Sequence, residues 1–253
     1  MNWQKKLEPI VRHAGTILLS YYGKKLAYQE KKAHGFVTEA DRSSENYLIK
    51  ELQNFFPEAS FFAEESGQLG KSDYCWVIDP LDGTTNFVHT LPYFCISIAL
   101  TYKEKPQVGI VYQPLTKEFF FAEKGKGAFL NGNHIKVSSP DHFNKSLIAM
   151  GLSYKSQQKN KLLRKGEKIT QQAYGVRHFG AIALDLAYIA CGRLDGLFLT
   201  YLAWWDVAAG ILLIEEAGGK IADFSGQPLA KGYTSCIAGG RMVYSQMQQI
   251  LED

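Results

Sequence analysis

The chain is poor in cysteine: Cys75, Cys95, Cys191 and Cys236 stand far apart in 253 residues, among apolar or small neighbours. They lack the paired spacing of a disulfide scaffold, a zinc site or a redox motif, and are expected as buried free thiols. The six histidines show no ligand spacing either. No apolar run approaches the roughly 20 residues a spanning helix needs. The N-terminus places Lys5 and Lys6 inside a helical pattern and has no signal-peptide core, so a reducing cytoplasm is the expected location. Excess charge is also missing: the net +3 is too small to demand a nucleic-acid partner. There is no internal repeat and no low-complexity tract, and the length suits one large or two modest domains with a real core.

What is present begins with helical periodicity. Trp3, Leu7, Ile10, Val11, Ala14, Ile17, Leu18 and Tyr21 recur at helical spacing and stop before Gly23. A second helix is expected after Thr38, with Tyr47, Leu48, Leu52 and Phe55 inward and Pro57 beyond its end. The period then changes. Residues 94–102, 107–113 and 118–123 are rich in Ile, Val, Tyr and Phe and read as antiparallel strands, and Asn131-Gly132 is a hairpin turn. The polar stretch Ser138-Ser139-Pro140-Asp141 is the best boundary, giving halves 1–138 and 139–253. Beyond it, strands 146–151, 176–180 and 195–200 alternate with helices 157–173, 182–191 and 206–217. Gly218-Gly219 is expected to end the last of these helices.

Chemistry concentrates in three acidic clusters, each an apolar run followed by acid and then a turn or cap. The first is Trp76-Val77-Ile78-Asp79-Pro80-Leu81-Asp82-Gly83-Thr84-Thr85-Asn86. Carboxylates at the end of a buried strand are costly unless a cation neutralises them. The nearby sequence offers no Lys or Arg, so a hard metal ion with oxygen ligands, Mg²⁺ above all, is the economical reading. Pro80 favours extended geometry before it, so that Asp79 and Asp82 address one space. Gly83 allows close backbone approach, and Thr84-Thr85-Asn86 reads as a helix start whose free N–H groups attract an anion. A lone Asp-x-x-Asp-Gly would be ordinary turn chemistry. The further clusters, Phe61-Phe62-Ala63-Glu64-Glu65-Ser66-Gly67 and Trp204-Trp205-Asp206-Val207-Ala208-Ala209-Gly210, reverse that preference. Glu65 reads equally as a solvated loop residue, and Asp206 as helix N-cap and ligand together.

On these motifs the chain resembles the inositol monophosphatase family, close to its bacterial members. The resemblance rests on residues 76–87, on Trp205-Asp206-Val207-Ala208-Ala209-Gly210 with Glu216-Ala217-Gly218-Gly219, and on Phe36-Val37-Thr38-Glu39-Ala40-Asp41. Ala63-Glu64-Glu65-Ser66-Gly67, Leu130-Asn131-Gly132 and Ala183-Leu184-Asp185-Leu186-Ala187-Tyr188 extend it over nearly the whole chain, in order. It implies a layered αβαβα sandwich of mixed α+β and α/β character, with the site between an N-terminal and a C-terminal half. It also implies a Mg²⁺-dependent phosphomonoester hydrolase, inhibited by Li⁺ and commonly homodimeric. Glu64, Asp79 and the Leu81 carbonyl would hold one Mg²⁺, and Asp79, Asp82 and Asp206 a second; a third, weaker ion would lean on Glu64. A water activated by the metal would be the nucleophile, with Glu64 and Thr84 accepting its proton and Asp41 orienting Thr84. Gly83, Thr84, Gly180, Ala181 and Asp206 would face phosphate or substrate. By the residues alone, Thr38 and Asp41 shape the start of the second helix. Lys31 or Lys32 would approach the phosphate or remain solvated.

The resemblance weakens at substrate identity. Seven residues before Asp206, where the family's inositol-type enzymes usually place a Glu that binds sugar hydroxyls, stands Leu199; Gly180-Ala181-Ile182-Ala183 replaces a more polar stretch. A site without that polar partner loses discrimination for a polyol, so another sugar phosphate, or a nucleotide-derived or glycerol phosphate, is the alternative substrate. Two rival readings remain. An aspartyl-phosphate phosphatase of the haloacid dehalogenase type would need Asp-x-Asp, one residue shorter than Asp79-Pro80-Leu81-Asp82, and a later Gly-Asp-x-x-x-Asp that is absent. A non-catalytic regulatory or nucleic-acid-associated role would use Lys155, Lys159, Lys161, Arg164, Lys165 and Lys168, but that run has few aromatics to stack bases and reads as a solvated face.

Overall fold

The structure is a computed structural model that describes residues 2–30, 36–151, 156–200, 202–232 and 235–252. Its first half runs α1 (Trp3–Tyr21), β1 (Tyr28–Glu30), β2 (Phe36–Thr38), α2 (Glu39–Phe55), β3 (Ser60–Ala63), β4 (Gly67–Leu69), β5 (Tyr74–Asp82) and α3 (Thr84–Val88). There follow β6 (Cys95–Tyr102), β7 (Lys105–Gln113), β8 (Glu118–Glu123), β9 (Gly127–Leu130) and β10 (Asn133–His134). The second half comprises β11 (Leu147–Gly151), α4 (Ser156–Gln172), β12 (Gly175–Arg177), α5 (Ile182–Ala190), β13 (Gly196–Thr200), α6 (Trp204–Glu216), β14 (Lys220–Ala222), β15 (Ser235–Gly239) and α7 (Arg241–Glu252).

β1 and β2 form a small ribbon of their own, and two larger sheets separate three helical layers. The eight-stranded sheet has the order β10-β9-β8-β7-β6-β5-β3-β4 and is antiparallel except where β3 runs parallel to β5. The five-stranded sheet, β12-β11-β13-β15-β14, is parallel along β12-β11-β13 and antiparallel beyond. α1 and α2 bury Leu7, Val11, Leu18, Leu48 and Leu52 against one face of the large sheet. α5 and α6 fill the space between the sheets, where Val77, Val111 and Phe120 meet Leu186, Leu212 and Leu197 in one core. The outer face of the small sheet packs on α4 and α7 through Ile148, Leu162, Phe198, Ile237 and Met247. This is the αβαβα layering expected from the sequence. α6 belongs to the second half yet lies on the first half's sheet, and a Cβ added at Gly109 of β7 would stand 2.7 Å from the Ala209 carbonyl.

Local chemistry explains most element ends. Asn131 and Gly132 take positive φ (48° and 82°) in a two-residue turn that pairs Leu130 with Asn133, as an Asn-Gly hairpin requires. α6 ends in a Schellman motif, with Gly219 N–H on the Ile214 carbonyl (2.9 Å) and Gly218 N–H on that of Glu215 (3.0 Å). The expected strand 176–180 is shorter, Gly175–Arg177, because Gly180 turns with φ 84° into α5. α6 begins at Trp204, before Asp206, because the N-cap is Ala203. Asp206 is therefore an N3 residue, not the cap itself.

Candidate active site

β5 carries its two aspartates on one face because its ladder is irregular. Asp79 pairs with Ser97 and Asp82 with Cys95, so three steps along β5 oppose two along β6. In a regular strand residues three apart point to opposite faces; the extra residue of the bulge returns Asp82 to the side of Asp79. Both face the helical layer between the sheets and are nearly closed from solvent, at 2 % and 8 % exposure. Asp79 Oδ1 accepts the Leu81 N–H (3.0 Å). Asp82 Oδ2 accepts the N–H of Ala183 in the first turn of α5 (2.7 Å) and contacts the Cys95 thiol (3.6 Å).

Two more carboxylates complete the group. Glu64 follows β3, and its N–H continues the parallel ladder onto the Ile78 carbonyl (3.1 Å). Its loop is held from below by Glu45 of α2, a carboxylate at 1 % exposure that accepts the Glu65 N–H (2.9 Å) and the Ser66 hydroxyl. Asp206 reaches back from the first turn of α6 to the Ala203 N–H (2.7 Å). Its neighbour Trp205 lies against Phe62 with ring centroids 5.1 Å apart and accepts the Ser97 hydroxyl at its carbonyl (3.3 Å), so α6 begins over β3 and β6.

The electrostatics follow from that convergence. Burial, then the charges of Glu64, Asp82 and Asp206, hold the Asp79 carboxyl well above the ordinary carboxylate range. Burial, then Asp206, does the same for Asp82, against a smaller opposing effect of the Ala183 N–H. Burial and these two aspartates also raise the Cys95 thiol. Among the described residues no ion pair reaches Asp79 or Asp82. The buried pair is short of positive charge, a deficit that a divalent cation with hard oxygen preference fits.

A hydroxyl stands beside the group. Thr84 opens α3, and its Oγ1 lies 3.0 Å from Asp41 Oδ1 and 3.0 Å from the Leu81 carbonyl. Asp41, fully buried and at N3 of α2, uses its other oxygen to close a capping box on the N-cap Thr38, accepting its N–H (2.8 Å) and hydroxyl (2.6 Å). One carboxylate thus both starts a helix and orients Thr84, the two roles that sequence reading kept apart. Gly83 between Asp82 and Thr84 has φ 88°, and a Cβ there would stand 3.0 Å from the Tyr93 carbonyl and 3.1 Å from the Ala181 side chain. No other residue type fits that turn without strain.

A profile of the inositol monophosphatase family matches residues 2–252. The chain belongs to the inositol monophosphatase family. It is 39 % identical over 257 aligned residues to the inositol-1-monophosphatase of Synechocystis, covering 99 % of this chain and 88 % of that protein. It is 40 % identical over 217 residues to the protein of Pseudomonas aeruginosa named Nus factor SuhB, covering 82 % and 80 %. The crystal structure of the extragenic suppressor protein suhB of Bartonella henselae superposes with a TM-score of 0.95 at 35 % identity, covering 99 % of this chain and 98 % of that one. Inositol monophosphatase family members therefore carry both an enzyme's name and a Nus factor's.

Near these carboxylates, Gly180 and Ala181 lie at the entry to α5. Gly180 is packed beside the Asn86 side chain, and Ala181 is fully buried against Gly83. Leu199, on β13, is fully buried in the core between the sheets, with its side chain against Gly151. Lys31 and Lys32, and the side chains of Lys155, Lys159 and Lys161, lie outside the described residues. Glu45, Tyr93 and Asp185 carry no assigned role in the sequence pattern, and Asn86 only that of a helix start. Glu45 had one signal: an acid four residues after Asp41 on the face that buries Leu48 and Leu52.

Proposed function

We propose that the protein is a Mg²⁺-dependent phosphomonoester hydrolase. The observation that carries the reading is the meeting of Glu64, Asp79, Asp82 and Asp206, with the two most buried of them held above the ordinary carboxylate range by burial and by each other. Glu64, Asp79 and the Leu81 carbonyl would hold one Mg²⁺, and Asp79, Asp82 and Asp206 another. Among the described residues no three His, Cys, Asp or Glu side chains stand close enough to hold a metal as placed, so the carboxylates would draw together on each ion, with water and substrate phosphate filling the remaining positions, as Mg²⁺ commonly allows. Bound there, the metal would neutralise phosphate oxygens and lower the pKa of the attacking water. The chain's own residues would do the rest. The Thr84 hydroxyl, pointed by Asp41, orients the water; Glu64 takes its proton; Gly83 and the Gly180-Ala181 entry to α5 bring backbone close to the phosphate.

The substrate we infer is a small phosphate monoester, inositol phosphate or another sugar or nucleotide-derived phosphate, because the buried Leu199 offers no hydroxyl partner. Li⁺ inhibition and a homodimeric state belong to the same proposal. The test is phosphate release from a panel of monoesters with and without Mg²⁺ and Li⁺, and the reading requires Mg²⁺-dependent turnover of at least one. A regulatory role is the second reading, favoured by the relatives named Nus factor. Salt-dependent RNA binding that persists in an Asp82→Asn variant, with no turnover of any ester by the wild type, would favour it.

A further inference from the structure

The loop before α5 is tied to the metal-side loop by contacts that the mechanism above does not use. The Asn86 amide donates to two carbonyls, that of Tyr93 (2.8 Å) in its own loop and that of Phe179 (2.8 Å) in the second half. Both amide hydrogens are spent, one on each side of the junction. The Tyr93 ring stacks on Phe179 (centroids 4.8 Å, planes 22° apart), and its hydroxyl donates to Asp185 Oδ1 (2.6 Å) in the first turn of α5. Asn86 is 8 % and Asp185 2 % exposed, so these bonds do not compete freely with water. The consequence lies one step further on: the segment they fix, residues 179–185, contains the Ala183 N–H that occupies Asp82 Oδ2. Among the described residues no donor is bonded to Asp82 Oδ1.

We propose that Asn86, Tyr93 and Asp185 form a clamp that sets the Mg²⁺ affinity of the site, by holding the Ala183 N–H on Asp82 Oδ2 so that Oδ1 faces the metal. They are positioning residues, acting on the ion through Ala183 and Asp82. The inference rests on the functional reading above and deepens it. Partners that orient metal ligands commonly change metal affinity or activity by about 10–100-fold when removed. Losing the clamp frees α5 to shift and Asp82 to turn, which weakens the site without removing any ligand.

The test is Mg²⁺ binding to the full chain, followed by calorimetry and by the Mg²⁺ dependence of thermal unfolding, for wild type, Asn86→Ala and Tyr93→Phe. Tyr93→Phe keeps the ring on Phe179 and removes only the bond to Asp185, so it remains informative if Asn86→Ala does not fold. Ile237→Ala, a cavity in the outer core far from the site, controls for loss of stability alone. The clamp predicts a Mg²⁺ dissociation constant raised about tenfold or more in Tyr93→Phe and Asn86→Ala and unchanged in Ile237→Ala. Binding equal to wild type in Tyr93→Phe overturns the clamp and leaves the hydrolase reading standing. Absence of Mg²⁺ binding by the wild type overturns both.

Discussion

Asp82 gives Oδ2 to the Ala183 N–H, and in the proposed site Oδ1 is left for the metal, a division that would decide what its substitution does. An amide at this position can still accept the Ala183 N–H but brings no negative charge to a cation. Asp82→Asn and Asp206→Asn are therefore expected to abolish phosphate release while keeping the fold, as read by circular dichroism. In the absence of metal each should unfold at or above the wild-type temperature, because a like charge beside a buried carboxylate has been removed; a cooperative, active Asp82→Asn protein would sink the metal assignment. In the proposed mechanism Thr84 and Asp41 would act on the reaction rather than on the ion. Thr84→Ala should lower kcat by about 10²–10⁴-fold, the usual worth of positioned proton transfer, with Mg²⁺ binding retained. Asp41→Ala should add the loss of the capping-box bond to Thr38 at the start of α2, visible as a lower Tm.

Elements, not single residues, bring the four acids together. The bulge in β5 turns Asp79 and Asp82 to one face, β3 carries Glu64 beside them, and α6 delivers Asp206 because it lies flat on β6 and β7. That seating depends on Gly109, where a methyl would meet the Ala209 carbonyl at 2.7 Å. Gly109→Ala is expected to cost about 1–3 kcal/mol by overpacking. At roughly 2–4 °C per kcal/mol for a chain of this size, the fall is measurable by calorimetry, and Mg²⁺ affinity should weaken with it as Asp206 moves. An unchanged Tm would mean that α6 sits elsewhere. Such elements were legible in the sequence where a long period spoke for them: α1, α2, β6 to β8 and the Asn131-Gly132 hairpin. The edge strands β4, β10 and β14, two or three residues each, carry too few residues to show a period. The bulge was invisible because it is a relation between β5 and β6, and Asp206 reads as a cap until Ala203 is seen to take that place.

Across the whole chain, the carboxylate group joins elements far apart in sequence, and its charge should couple stability to pH and, in the proposed reading, to metal. In the unfolded chain Asp79 and Asp82 lose their protons at ordinary carboxylate values, whereas the folded chain keeps them to higher pH. The metal-free fold thus binds more protons and loses stability as pH rises from the ordinary carboxylate range through the folded values. Asp185, raised to about 7 by burial against the opposing Tyr93 bond, adds to the same loss over the window up to about 7. Mg²⁺ needs deprotonated ligands, so its stabilisation should grow with pH. At 100 times its Kd it is worth about 2.7 kcal/mol. Melting curves with and without Mg²⁺ should diverge as pH rises; parallel curves would contradict the coupling. The acids and Thr84 were legible because each sits in a contiguous motif. The contacts among Asn86, Tyr93, Phe179 and Asp185 were not, since they arise only when residues about ninety apart meet.

Whether Asp82 and its neighbours hold Mg²⁺ for phosphoester hydrolysis is read from release of inorganic phosphate from inositol 1-phosphate and other small monoesters by wild type and Asp82→Asn, titrated with Mg²⁺. A metal held there gives wild-type turnover that rises with Mg²⁺ and vanishes with chelator, and none by the variant at any Mg²⁺ concentration. Wild-type turnover that ignores Mg²⁺, or no turnover of any ester by a wild-type protein that binds the ion, would contradict it.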